Sequence, residues 1–171
     1  MLATFAGQVI ELLHDDAAPV GPGAQSGADP LEALLTLDGP VTAPDDPVLA
    51  RLLPDAYRGD DQAASDFRRY TESTLRAEKV DNARTLLSTL GAGGYDSDSE
   101  DSGVEVELQP AQVQAWLRCL TDMRLALATR LGIEDDEDSW DELAEDDPRA
   151  VMHDVYGWLG YVQETLVQAL D

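Results

Sequence analysis

Apolar residues recur at three- and four-residue spacing along much of this chain, the period of one face of a helix. From Leu2 to His14, the residues Leu2, Phe5, Val9 and Leu12 share a face. Two short apolar stretches follow, Pro30 to Leu37 and Pro47 to Leu53, the second stopped by Pro54. A long helix is predicted from about Asp61 to Leu90, with Phe67, Tyr70, Thr74, Ala77, Val80, Ala83, Leu87 and Leu90 facing inward. The clearest stripe lies between Pro110 and Leu131: Val113, Trp116, Leu120, Met123, Leu127 and Leu131, widened by Leu117 and Leu125. Arg149 to Leu170 is the last, with Met152, Val155, Leu159, Val162, Leu166 and Leu170 on one side.

The punctuation agrees with the periodicity. Asp29-Pro30, Asp46-Pro47 and Asp147-Pro148 each place a carboxylate before a proline at the first helical position, where it can accept free backbone N–H groups. Gln109-Pro110 is a weaker version, and Gly91, Gly93, Gly94 and Gly132 mark helix ends. Val104, Val106 and Leu108 alternate with acids and read as a short extended piece, but a lone strand needs a partner to satisfy its backbone. No repeat appears at solenoid periods. The expected fold is all-α: one helical domain over 1–171, a bundle of three long helices and two or three short ones. At most one short strand pair is expected, with acidic loops at 92–109 and 132–147.

Charge sharpens this picture. The 171 residues carry 35 Asp and Glu against 11 Lys and Arg, a formal charge of −24. Ten acids fall between Glu134 and Asp147 and six between Asp96 and Glu107, so the remainder, with 19 acids and 11 bases, is only moderately acidic. Such a field repels a phosphate backbone and an anionic membrane surface, so neither nucleic acid nor membrane is expected as a partner. No run approaches the ~18 apolar residues of a membrane span. The start lacks a basic region and a small-residue cleavage site, so no signal peptide is expected. The one cysteine, Cys119, excludes an internal disulfide and a cysteine-based metal cluster, and the expected compartment is the cytoplasm.

Little chemistry stands out. Asp96, Asp98, Glu100 and Glu107 fall at positions 1, 3, 5 and 12 of a calcium loop, but Asp101 occupies the position of the turn glycine, so a solvated linker is the better reading. Cys119 sits between Trp116 and Leu120 on the central stripe, where a thiol behaves as a small hydrophobe; redox sensing is its alternative role. His14 and His153 are the only histidines and nothing in their spacing converges on a metal. There is no phosphate loop, dinucleotide fingerprint or nucleophile with a spaced base. No catalytic residue, metal ligand or cofactor is therefore assigned, and the chain is read as a non-enzyme. Asp122, Arg124 and Arg130 lie at the edge of the central stripe, where pairing with other helices is expected. Tyr156, Trp158 and Tyr161 lie beside the stripe of the last helix and either pack the bundle or present a partner surface.

Three runs together carry a resemblance: LARLLPDAYR from Leu49, WLRCLTDMRLALATRL from Trp116 and HDVYGWLGYVQE from His153. They resemble a family of small actinobacterial proteins of largely unassigned function, often encoded beside the ClpS adaptor of the Clp protease and including the oxidative-stress regulator AosR. The resemblance covers the chain from Asp45 onward. Thr121 and Ala128 depart from it, standing where Asn and Gly are expected. The redox reading of the family rests on a cysteine pair, and with Cys119 alone an intramolecular disulfide switch cannot form here. The resemblance implies a cytoplasmic regulator that binds a protein, a sigma factor or a Clp component, with Arg124, Arg130, Tyr156 and Trp158 as candidate contact residues. A homodimer is compatible with it. The alternative is a small-molecule or metal-binding domain with a pocket between the central and last helices.

Overall fold

The computed structural model describes residues 1–15, 42–57, 59–93, 105–133 and 147–170. Five helices lie among them: α1 (Leu2–Asp15), α2 (Pro47–Leu52), α3 (Asp61–Ala92), α4 (Pro110–Leu131) and α5 (Pro148–Gln168). The stretch from Pro30 to Leu37, residues 96–104 of the calcium-like loop and residues 134–146 of the second acidic loop lie outside the described residues.

The proline-marked starts are built as their residue types require. Asp46 accepts from the backbone N–H groups of Val48 at 2.7 Å and Leu49 at 3.3 Å, and Asp147 accepts from that of Arg149 at 2.8 Å. Asp60 caps α3 through the Ala63 N–H at 3.0 Å. At α4 the Gln109 N–H donates to the Gln112 side chain at 2.8 Å, half of a capping box that compensates for the missing carboxylate. Gly132 closes α4 in the left-handed conformation, φ 69°, which a residue with a Cβ would resist.

The central stripe puts α4 at the middle of the bundle. Helix α4 packs against α1, α2, α3 and α5. Its Trp116, Cys119, Leu120, Met123 and Leu127 meet Ala6, Val9 and Leu13 of α1, Val48, Leu49 and Leu52 of α2, Val80, Ala83 and Leu86 of α3, and Val155 and Leu159 of α5 in one core. Trp116 Nε1 donates to Thr89 Oγ1 at 2.8 Å, so the buried indole keeps its hydrogen bond. Helix α5 packs chiefly on α4, and its ends extend past cover: Met152 and Leu170, expected inside, are 42% and 52% exposed.

No strand forms among the described residues: Glu105–Gln109 has no pairing partner there, and Val106 and Leu108 rest against the core. One local expectation is corrected. The first half of α3 is rotated by about one residue from the apolar reading. Phe67, Tyr70, Thr74 and Ala77 face solvent, and Arg68, Glu72 and Arg76 face inward.

Gly157 lies on the exposed side of α5, and a Cβ there would meet nothing within 4 Å. Gly157→Ala is expected to raise stability by about 0.5–1 kcal/mol, through the unfolded chain's lost freedom. Denaturant titration checks it, and a loss of stability would mean that this face of α5 is covered.

Candidate functional site

The inward stripe of α3 is a chain of charge. Arg68, Glu72 and Arg76 are four residues apart, hence stacked on one helix face. Both oxygens of the Glu72 carboxylate are used. Arg68 donates to Oε2 at 2.6 Å, while Arg76 donates to Oε1 from Nε at 2.9 Å and pairs with it from its terminal nitrogen at 2.8 Å. The arginines also reach outward. Arg76 donates to the Leu13 carbonyl at 3.0 Å, at the end of α1, and Arg68 donates to the Leu53 carbonyl at 3.3 Å and pairs with Asp55. The triad therefore satisfies carbonyls that α1 and α2 leave open at their C-termini. Burial works against the Arg68 charge, but the Glu72 and Asp55 carboxylates outweigh it and hold its pKa above the ordinary arginine value.

One turn further on, Lys79 Nζ donates to Asp122 Oδ1 at 2.6 Å, joining α3 to α4. Asp122 is 4% exposed, and burial raises its pKa above the ordinary aspartate value although Lys79 opposes the shift. Cys119 lies beneath, 1% exposed, its thiol pushed up to about 12 by burial and then by the Asp122 charge. Such a thiol is almost wholly protonated at neutral pH and has no route to solvent. The folded protein is expected to react with iodoacetamide at least about 100-fold more slowly than the denatured chain. Comparable rates, read by mass spectrometry, would mean that the core around α4 opens readily.

Arg124 and Tyr156 meet at the α4–α5 junction. The Arg124 guanidinium lies 4.9 Å from the Tyr156 ring centroid and donates to Gln163 Oε1 at 2.9 Å and to the Tyr156 hydroxyl at 3.3 Å. Gln163 donates onward to Thr121 Oγ1 at 2.8 Å. Gly160 leaves the space beside this guanidinium: a Cβ there would sit 3.6 Å from the Arg124 Cζ. Arg124 Nε is buried with no hydrogen-bond partner among the described residues. Arg130 is placed differently. Its side chain is 60% exposed and pairs at 3.2 Å with Asp46, the cap of α2. Trp158 is partly buried against the core, and Tyr161 is 68% exposed.

Two clefts open among the described residues. One, of about 740 Å³, opens between α2, α3 and α4 over the Lys79–Asp122 pair; the other, of about 340 Å³, lies between α1 and α4. Among the described residues no group of His, Cys, Asp and Glu could hold a metal ion. His14 and His153 lie on different helices, α1 and α5. No helix among the described residues is long and apolar enough to cross a membrane.

The sequence reading brought forward Arg124, Tyr156, Arg130 and Trp158 but passed over Arg68, Glu72 and Arg76. The signal was present as alternating charge at four-residue spacing, which continues in register into Val80 and Ala83.

Comparison with known proteins agrees with the resemblance. The chain is 33% identical over 180 residues to AosR of Mycobacterium leprae and 32% identical over 184 residues to the proteins of Mycobacterium bovis and Mycobacterium tuberculosis named oxidative stress regulator AosR. Each match covers 99% of this chain and 77% of the relative. No solved structure matches. The domain of unknown function DUF2017 matches residues 1–170. This chain therefore belongs to the DUF2017 family.

Proposed function

We propose that this protein is a cytoplasmic, non-enzymatic regulator of the oxidative-stress response that works by binding another protein, with a sigma factor as the first candidate and a Clp component as the second. The observation that carries the reading is likeness over 99% of the chain to relatives named oxidative stress regulators. The charge of −24 supports a partner with a basic face, since complementary fields speed encounter. Arg130 and Trp158 remain the contact candidates. Arg124 and Tyr156 are occupied in holding α5, so their substitution would act through the position of that helix. The buried, strongly protonated Cys119 favours regulation without thiol oxidation in this chain.

The test is capture from native cytoplasm with the tagged full chain, with and without peroxide, read by mass spectrometry. The expected result is a stoichiometric sigma factor or Clp subunit, retained equally by Cys119→Ser and weakened by high salt. Capture of neither partner in both conditions would sink the reading. Capture only after peroxide, lost in Cys119→Ser, would overturn its thiol-independent form.

A further inference from the structure

The cleft between α2, α3 and α4 gathers bases in a chain that has few. Arg51 of α2, Lys79 of α3 and Arg118 of α4 all line it. Two of its three acids are already engaged, Asp55 by Arg68 and Asp122 by Lys79. Arg51 and Arg118 are exposed and have no carboxylate partner among the described residues, and Glu78 is the one remaining acid of the lining. At physiological ionic strength charges beyond roughly 8 Å are screened, so a ligand in the cleft responds first to these two guanidinium groups and to Glu78. Between the arginines the walls are apolar: Leu52, Phe67, Leu75 and Leu125. The volume, about 740 Å³, falls within the range of small-ligand sites.

The geometry points to a binding site for a small organic carboxylate with an apolar body, its acid group held by Arg51 and Arg118 and its body laid on Leu52, Phe67, Leu75 and Leu125. A cationic head would meet the two guanidinium groups and be repelled. The floor is Asp122 with Lys79, so a bound ligand rests on the ion pair that ties α3 to α4. Occupancy would thus reach a contact that the fold depends on.

The test uses the full chain, with decanoate as the probe and decyltrimethylammonium as the control of equal chain length and opposite charge. Titration calorimetry and backbone amide spectra are recorded at physiological salt. Decanoate is expected to bind one to one with a Kd near about 0.1 mM, the scale that a ligand of about a dozen heavy atoms reaches. The shifted amides are expected around Lys79, Asn82, Arg118 and Leu125. Arg51→Glu with Arg118→Glu should weaken binding about tenfold or more, and Arg84→Glu, at an exposed site on α3 outside the cleft lining, should not. Thermal melts confirm that the double variant is folded, and Arg51→Gln with Arg118→Gln repeats the comparison without charge reversal. Equal binding of the cationic probe would overturn the assignment. So would shifts centred on the cleft of Phe5, Leu12 and Leu127, unchanged affinity in both double variants, or no binding below about 5 mM.

Discussion

Replacing Glu72 by glutamine is expected to cost about 3–5 kcal/mol of folding stability, the loss that follows when a buried ion pair is broken from one side. Glu72 is 2% exposed and accepts hydrogen bonds from two arginines. Glutamine preserves the shape but removes the carboxylate charge that the two buried arginines share, and its amide presents donors to at least one of them. The disturbance travels outward, because the same arginines hold the carbonyls of Leu13 and Leu53. For a chain of this length the melting temperature should fall by roughly 10 °C. Arg84→Ala, which removes an exposed pair with Asp81, should change stability by less than about 0.5 kcal/mol. Chemical denaturation of the two variants side by side is the measurement. A Glu72→Gln loss under about 1 kcal/mol would show that water reaches the triad and carries its charge.

Lys79→Met is expected to produce the second largest effect, and one that depends on pH. Removing the cation leaves the Asp122 carboxylate buried and alone, at a cost of about 3 kcal/mol at neutral pH. The sign follows from the direction of the Asp122 shift. Its pKa in the folded protein is raised above the ordinary value, so the folded state holds this proton more tightly than the unfolded chain does. The resulting stabilisation is full below the ordinary aspartate pKa and is lost as pH rises through the raised value. Without Lys79 the shift grows, since the one opposing influence is gone. The gap in melting temperature between wild type and Lys79→Met should therefore be widest at neutral pH and close toward about pH 4. Asp122→Asn should cost less, about 1 kcal/mol, because the Lys79 side chain is partly exposed and its amine can reach water. A gap that stays constant with pH would show that Lys79 acts through its methylene packing alone.

Helix positions were legible in the sequence where punctuation and period coincided. Asp46-Pro47, Gln109-Pro110 and Asp147-Pro148 sit at the observed starts of α2, α4 and α5, because a proline without an N–H and a capping acceptor fit only there. The burial of Cys119 followed from its place between Trp116 and Leu120. The face of α3 did not follow. Hydropathy turned Phe67 and Tyr70 inward, whereas the helix buries Arg68, Glu72 and Arg76, whose compensating groups are backbone carbonyls as far away in sequence as Leu13. A pattern of side chains cannot announce an acceptor that belongs to another helix's end. The same holds for the candidate site: Arg124 and Tyr156 were singled out separately, and only the antiparallel approach of α4 and α5 makes one the partner of the other. The cleft over Lys79 needed three helices at once.

Among the described residues α5 has essentially one neighbour, and this bears on amide exchange. Helix α4 is held by four elements and α3 by α1 and α4, so their central amides should exchange with solvent deuterium only when the whole bundle unfolds. Among the described residues helix α5 is held chiefly by α4, and giving up that contact is an opening that releases Arg124 from Tyr156 and Gln163 and uncovers Leu159. Its amides then belong to a separate cooperative unit that exchanges earlier, and exchange at that helix becomes a local gauge of anything that loosens or clamps the α4 surface.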